Sequence, residues 1–306
     1  MALSKLSADA QGIILGQLCN ALEPRLAVYL SSTSHELRLL LTPALVQQLR
    51  ADYEAAKALC WKAGMRSCKD VREAKRVVWC GIPLLSATEM ATLGTLGSVL
   101  PALEELCLEN ATADPDGVQR LAAGLGAGAL PALSKFDIFH AHMGDAGASA
   151  LAAALGQGAM PRLKFLSLGN AAIGDAGLVA LAPALRRLTA LETLCLGCNM
   201  FGDEGLTALV APLSPAADAL APPTGVVTKL KKLKTLDLFQ TYITDAGCAA
   251  LTSAIDNGAL PALESLNLND IPASGAAKTA LEARFPANCG DFDSDDSDAR
   301  DDSDEE

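Results

Sequence analysis

The sequence predicts an α/β solenoid, in which short parallel strands and helices alternate and successive coils stack on one another. Six segments read L-x-x-L-x-L, with Phe and Ile replacing two leucines in one of them, and their first leucines are separated by 30, 30, 28, 42 and 30 residues. A near-constant period of this kind is typical of stacked repeats. The chain is also 50% apolar but only 4% aromatic, which suits repeated layers of small and aliphatic side chains. The first leucines are Leu103, Leu133, Leu163, Leu191, Leu233 and Leu263.

Each unit begins with a short strand. In L-x-L the two leucines share one face of the strand, so we expect them to point into the core. Stacking the units would pair these strands in parallel. A degenerate earlier unit is expected around Val78-Trp79-Cys80, where Val78 lies 28 residues before Leu106.

A helix is predicted behind each strand. The turn after the strand leads into G-D-x-G, or into T-D-A-G in one unit. A carboxylate at this place can accept hydrogen bonds from free amides of the first helical turn, so we expect each aspartate to cap the helix that it begins. The aspartates are Asp145, Asp175, Asp203 and Asp245. The helix ends are expected near Gly128, Gly158 and Gly258, with Pro131, Pro161 and Pro261 shortly after them.

With these motifs, residues 72–285 resemble the ribonuclease-inhibitor-like branch of leucine-rich-repeat proteins. The resemblance implies a right-handed curved solenoid with parallel strands on the concave face and helices on the convex face. Such repeats usually carry Asn five residues after the second leucine, where its side chain satisfies backbone groups of the turn. We expect Asn199, and less completely Thr241, to do so here. The six residues at this position are Ala111, Ala141, Ala171, Asn199, Thr241 and Ile271.

The outward side of the strands is the predicted binding surface. Side chains flanking the inward leucines would form a grid about 25 Å wide, since neighbouring strands lie about 4.8 Å apart. Phe139, Phe165 and Phe239 fall on this grid, and exposed aromatics among polar residues are typical of protein-binding surfaces. The alternative is that these rings pack against adjacent loops or the N-terminal head. The predicted contact residues are Glu105, Cys107, Glu109, Lys135, Asp137, Phe139, Phe165, Ser167, Thr193, Cys195, Thr235, Asp237, Phe239, Asn267 and Asn269.

No catalytic, cofactor-binding or metal-binding residues are predicted, and the chain is not expected to be an enzyme. Cys195-Leu-Gly-Cys198 has no second pair for a four-ligand zinc site and lacks the context of a redox motif. His140 and His142 lie two repeats, or about 10 Å, from Cys198, too far to share one ion with it. The glycines of residues 124–128 fall at a helix end and indicate a C-cap rather than a phosphate loop.

Residues 1–71 are predicted to form a helical head outside the repeats. Part of it resembles an F-box, the helical segment that binds the Skp adaptor of cullin ubiquitin ligases, although Ser7 stands where that family usually has Pro and Leu37 where a large aromatic is common. The resemblance implies contact with the adaptor through residues 6–40 and a role as substrate receptor. The alternative is a helical cap over the open edge of the first repeat. The matching positions are Leu6, Asp9, Ile13, Ile14, Leu18, Leu26, Leu30 and Ser34.

The net charge of −12 is concentrated at the C-terminus, where residues 291–306 hold ten acidic residues and one Arg. We expect residues 286–306 to be a disordered acidic tail. Similar repeats and an acidic C-terminal region also occur together in Ran-type GTPase-activating proteins. That class has functional Asn and Arg residues early in the array, and this sequence has no matching pair.

The extra residues of the 42-residue interval form a Pro-rich insert near 212–225. The insert is either a tolerated surface loop or an added recognition loop.

Composition also limits the location and partners. Residues 1–76 have eleven Lys/Arg against seven Asp/Glu, too small an excess to predict nucleic-acid binding. The nine cysteines are scattered, and neither a secretory signal nor a run of about 18 apolar residues is present. We therefore expect reduced thiols, a cytoplasmic or nuclear location, no membrane contact, and a monomer outside its complexes with a protein partner.

Overall fold

The computed structural model describes residues 20–23, 25, 28, 29, 32, 35, 41–80, 84–111, 116–211 and 230–285. Within these residues, seven strands form one parallel sheet in chain order, and helices separate successive strands. The predicted α/β solenoid is confirmed. The strands are β1 (Arg76–Val78), β2 (Glu105–Cys107), β3 (Lys135–Asp137), β4 (Phe165–Ser167), β5 (Thr193–Cys195), β6 (Thr235–Asp237) and β7 (Ser265–Asn267).

Within the described ranges, two continuous helices lie between residue 41 and the first strand, and one helix follows each strand. They are α1 (Pro43–Lys62), α2 (Cys68–Glu73), α3 (Ala87–Leu96), α4 (Gly117–Gly124), α5 (Gly144–Gly156), α6 (Asp175–Leu185), α7 (Asp203–Val210), α8 (Asp245–Asp256) and α9 (Gly275–Glu282). A 3₁₀ turn, Gly97–Val99, extends α3. Among the described residues, no helix is both long and apolar enough to cross a membrane.

The strand leucines form a buried ladder through the sheet. Leu166 pairs in register with Phe136 on one side and with Leu194 on the other, and all three are buried. Helix residues such as Leu181 and Leu206 belong to the same core. The register is unchanged from β5 to β6, where the 42-residue interval falls. The insert is therefore accommodated without displacing the coils on either side of it.

The degenerate first coil is present, but its register differs from the prediction by one residue. Val77, rather than Val78, pairs with Leu106. Val77 and Trp79 are buried, whereas Val78 is 41% exposed. Val77 and Trp79 therefore take the inward positions that leucines hold in the later coils.

Asn199 makes the hydrogen bonds expected of it. Its Nδ2 donates to the carbonyl oxygens of Leu168 and Leu196, both at 2.8 Å. Its Oδ1 accepts from the backbone N–H of Ala171 at 3.2 Å and of Ile173 at 3.0 Å. Thr241 makes a smaller contribution, because its hydroxyl donates one bond to the carbonyl of Leu238 at 2.8 Å. Asn199 thus joins the turns of two successive coils.

The aspartates cap helices, but not the helices that they begin, which corrects the expectation. Asp175 is the first residue of α6, and its Oδ1 accepts from the N–H groups of Gly202 at 2.9 Å and Gly205 at 2.7 Å, at the start of α7. A residue already inside the first turn directs its carboxylate sideways, towards the next coil. The same link runs from Asp145 to Gly174 and Gly177, from Asp203 to Thr244 and Gly247, and from Asp245 to Ser274.

These carboxylates also account for the second glycine of G-D-x-G. A Cβ on Gly205 would lie 2.9 Å from Asp175 Oδ1 and 3.2 Å from Leu178 Cβ. On Gly177 it would lie 2.5 Å from Asp145 Oδ1. A side chain at either position would block the approach of the preceding aspartate to the helix N-terminus.

Replacing Asp175 by alanine is expected to lower the free energy of unfolding by about 1 to 2 kcal/mol, since it removes the cap of α7. Asp175→Asn keeps an oxygen at this place and loses only the charge near the helix N-terminus, at a cost of about 0.3 to 1 kcal/mol. Glu204→Ala, an exposed acidic residue in the same first turn, is the matched control. Urea unfolding followed by circular dichroism measures all three, and equal losses for Asp175→Ala and Glu204→Ala would contradict the inter-coil cap.

The expected glycine signals at helix ends are present in two coils. Gly158 and Gly258 each lie one residue past a helix C-cap, with φ of 88° and 69°, the left-handed conformation that ends many helices. Gly128 also has positive φ but lies further beyond α4, which ends at Gly124.

Gly124 instead brings two helices into backbone contact. A Cβ on Gly124 would lie 2.9 Å from the backbone N of Thr95 and 3.0 Å from the carbonyl oxygen of Ala91, both in α3. On the facing Gly94, a Cβ would meet the carbonyl oxygen of Leu121 and lie 3.0 Å from Gly124 Cα. The absence of both side chains therefore sets the spacing of α3 and α4.

The described part of the head packs on the first coil. Leu59 and Cys60 of α1 belong to the same core as Val77 of β1. At the surface, Lys62 Nζ lies 2.7 Å from a carboxylate oxygen of Glu89 in α3. The F-box-like positions within residues 6–40, the insert 212–225 and the tail 286–306 lie outside the described residues.

Candidate partner-binding face

The parallel register arranges the outward side chains in columns that cross the sheet. We call this surface the open sheet face. Its first column is Arg76, Glu105, Lys135, Phe165, Thr193, Thr235 and Ser265. Its second column is Val78, Cys107, Asp137, Ser167, Cys195, Asp237 and Asn267.

Backbone pairing continues past the strand ends and adds a third column. Here the N–H of one coil donates to a carbonyl of the next, as from His140 to Gly169 at 3.0 Å and from Cys198 to Phe239 at 2.7 Å. The third column is Cys80, Glu109, Phe139, Gly169, Gly197, Phe239 and Asn269. The structure therefore brings every predicted contact residue onto one face.

In the first column, charged side chains are already engaged with their neighbours. Lys135 Nζ lies 5.1 Å from the centroid of the Phe165 ring, close enough for a cation–π interaction. Arg76 Nε lies 3.3 Å from Glu105 Oε2. Phe165 is half-buried beneath this lysine, so its ring is screened on one side.

The second column carries two half-buried carboxylates that organise the turns. Asp137 Oδ1 accepts from the N–H of Phe139 at 3.2 Å, and Asp237 Oδ1 accepts from the N–H of Phe239 at 3.0 Å. Asn267 holds its own turn in the same way with an amide oxygen. Burial raises the pKa of both aspartate carboxyls, although the turn N–H groups oppose it. A negative charge is thus not required for this turn.

In the third column, Phe139 lies over a glycine rather than projecting freely. A Cβ on Gly169 would lie 2.6 Å from Phe139 Cε2. The ring also stacks on His140, with centroids 4.2 Å apart. Phe239 borders the next glycine, since a Cβ on Gly197 would lie 3.4 Å from Phe239 Cβ. The rings are half-buried within the face itself.

The two glycines add no side chains at the centre of the face, where the Phe139 ring covers Gly169. Gly169 and Gly197 are buried and stand side by side, with Phe139 in the coil before them and Phe239 in the coil after. Ser167 is only 5% exposed, so it belongs to the floor of this region. Glu109 and Asn269 are exposed towards the two ends of the face, and the other predicted contact residues are half-buried.

The C-x-x-C does not converge on the face. Cys195 lies in the second column, and burial, reinforced by the Asp237 charge, raises the pKa of its thiol to about 12. Cys198 lies beyond the third column, where its thiol contacts Gln240 Oε1 at 3.3 Å.

Several surface residues were missed from the sequence. Arg76, Val78 and Cys80 of the first coil belong to the face, and a one-residue shift in the alignment of that unit would have shown this. At the turns beside the face, Met200 and Tyr242 are 57% and 62% exposed. They follow Asn199 and Thr241 directly, so the position after the turn residue is the signal that locates them.

Residues 131–152, 160–182, 188–210 and 229–251 match the family described as leucine rich repeat. No curated protein matches the chain. Among solved structures, internalin C2 from Listeria monocytogenes is 18% identical with a TM-score of 0.39, over 74% of this chain and 87% of that one. A leucine-rich-repeat protein from Leptospira interrogans is 17% identical with a TM-score of 0.31, over 69% of this chain and 58% of that one.

The matched segments coincide with coils of the described sheet. Each of them contains one strand and residues of the helix that follows it. The flanking strands β2 and β7 continue the same register. Four successive coils of the sheet therefore match the leucine-rich-repeat family.

Proposed function

We propose that this chain is a non-catalytic interaction module that binds a partner protein on its open sheet face. The observation that carries the proposal is the centre of the face, where Gly169 and Gly197 lack side chains and lie between the half-buried rings of Phe139 and Phe239. A backbone floor bordered by aromatic rings can receive a protruding segment of a partner and bury apolar area against it.

The charges at this centre favour a basic partner segment. Asp137 and Asp237 lie in the second column, beside the column that contains the glycines. Each carboxylate accepts a hydrogen bond from the backbone N–H of the phenylalanine two residues later. Half-buried carboxylates beside aromatic rings suit Arg or Lys, whose stem can pack on a ring while its charge approaches an oxygen. Lys135, the nearby cation, is already placed over Phe165.

Affinity purification from extract with full-length variants tests this proposal. We expect Asp237→Asn to lose the partners recovered with the unaltered chain. This substitution keeps the turn, because Asn267 makes the same turn with an amide oxygen. Phe239→Ala should lose them as well. Val179→Ser, on an exposed site of α6, is the control away from the sheet and should retain them. Identical recovery with all three variants would contradict binding on this face.

The head is proposed to act as a cap. Its α1 residues Leu59 and Cys60 share the core of the first coil, and a covered end is what an open repeat array needs for solubility. The same purification tests the two alternative functions, a ubiquitin-ligase receptor and a Ran-type GTPase-activating protein. Ile13→Asp is the variant that disrupts the F-box-like pattern. Recovery of Skp and cullin subunits that depends on Ile13 would favour a ubiquitin-ligase receptor. Recovery of a GTP-loaded GTPase would favour the Ran-type reading. The cytoplasmic or nuclear location stays a prediction.

A further inference from the structure

At the N-terminal edge of the open sheet face, three potential metal ligands from different coils converge. The Sγ atoms of Cys80 and Cys107 and a carboxylate oxygen of Glu109 all lie within 4.8 Å of one another. Cys80 Sγ lies 3.7 Å from Glu109 Oε2. We propose that these three side chains bind a thiophilic divalent cation such as Zn²⁺.

The separations fit a tetrahedral site with little movement. With Zn–S bonds of about 2.3 Å and Zn–O bonds of about 2.0 to 2.2 Å, a sulfur and an oxygen ligand stand about 3.5 Å apart and two sulfurs about 3.8 Å apart. The 3.7 Å between Cys80 Sγ and Glu109 Oε2 is close to this edge length. Two thiolates with one carboxylate also match the borderline-soft character of zinc better than that of Mg²⁺ or Ca²⁺.

The parallel register explains why these residues meet. Val78, the last residue of β1, pairs with Cys107, so Cys80, two residues past the end of the strand, reaches the level of Glu109 on the same face. Cys107 therefore lies on β2, and Cys80 and Glu109 each lie two residues past the end of a strand, where the pairing of the two coils continues. Such support keeps them close to one another without an ion.

The cluster also lacks a positive partner within the described part of the chain. The basic side chains of this edge are engaged elsewhere, Arg76 with Glu105 at 3.3 Å and Lys75 with Glu104 at 3.0 Å. A divalent cation would offset the charge of Glu109 and would displace the thiol protons on binding.

Three protein ligands leave the fourth position of a tetrahedral ion open. Cys80 and Glu109 are exposed, so that position faces solvent, where water or a side chain of a bound partner can occupy it. Bound metal would link β1 to β2 and stabilise the first coil at the end of the array. The inference does not depend on the proposed function, because metal uptake is measured on the isolated chain.

The test is titration of the reduced full-length chain with Co²⁺, followed by displacement with Zn²⁺. We expect one equivalent of Co²⁺ to produce thiolate-to-cobalt charge-transfer absorption that Zn²⁺ abolishes. Cys80→Ser and Cys107→Ser should remove this absorption. Glu109→Gln should weaken the affinity for Co²⁺ by more than about 10-fold, the lower end of the cost of losing an outer-shell partner of a metal ligand. Cys195→Ser, on the same face but outside the cluster, should leave it unchanged.

Three results would overturn the proposal. One is no saturable uptake by the reduced chain. Another is the same absorption in Cys80→Ser and Cys107→Ser as in the unaltered chain. The third is a Cys80–Cys107 disulfide, identified by peptide mass spectrometry, in a protein whose reduced form takes up no metal. Circular dichroism of each variant confirms that the repeats remain folded, so that a lost signal reports on the ligands.

Discussion

Replacing Asn199 by alanine is expected to lower the free energy of unfolding by about 3 kcal/mol. The side chain is buried and bonds five backbone groups of two coils. Alanine would leave several of these groups without partners in a part of the core that water cannot easily reach, and each unsatisfied buried group costs about 1 to 3 kcal/mol. The loss should appear as a lower urea midpoint with an unchanged slope.

Thr241→Val is the graded comparison for Asn199. It removes a single hydroxyl bond, to the carbonyl of Leu238, and we expect a loss of about 1 kcal/mol. If the two substitutions cost the same, Asn199 does not join the coils in the way that its hydrogen bonds indicate.

Gly94→Ala is expected to destabilise the protein by about 2 kcal/mol, within the range for overpacked sites. Intrinsic helix propensity predicts the opposite sign, a gain of about 1 kcal/mol for Ala over Gly in a helix. The clash dominates because the new methyl would meet the carbonyl of Leu121 and the Cα of Gly124. These are backbone atoms, which a side-chain rotation cannot move away.

Gly156→Ala is the matched control for Gly94. It is the last residue of α5, and a Cβ there would have no neighbour within 4 Å. We therefore expect it to be neutral or to stabilise by up to about 1 kcal/mol. Thermal unfolding of both variants gives the comparison, and a stabilising Gly94→Ala would show that α3 and α4 can separate freely.

Features formed within one coil follow from the sequence, whereas most of the contacts between neighbouring coils do not. The L-x-L strands follow from periodicity, and the role of Asn199 in the turn is what the resemblance to leucine-rich repeats implies. Asp175 was assigned to its own helix because a single coil contains no sign of the neighbour that it caps. The partial burial of Phe139 was likewise hidden, since it depends on the glycine at position 169 one coil later.

The candidate metal cluster shows the same limit. Cys80 and Cys107 are separated by 27 positions in the chain, and no short motif links them. They meet because β1 pairs with β2 one residue away from the register that the leucine spacing suggests. Only after that register is known do the two thiols and Glu109 fall on neighbouring positions of one face.

The inter-coil caps give the array a direction. Each carboxylate, from Asp145 through Asp245, serves a helix that comes later in the chain. During synthesis from the N-terminus, the acceptor for each of the helices α6 to α9 already exists when that helix leaves the ribosome. Removing the last coils leaves the remaining helices with their acceptors, whereas removing the coil of α6 together with everything before it exposes the start of α7. Adding or removing a coil at the C-terminal end therefore leaves the caps of the remaining helices intact, whereas removing a coil at the N-terminal end takes away a cap.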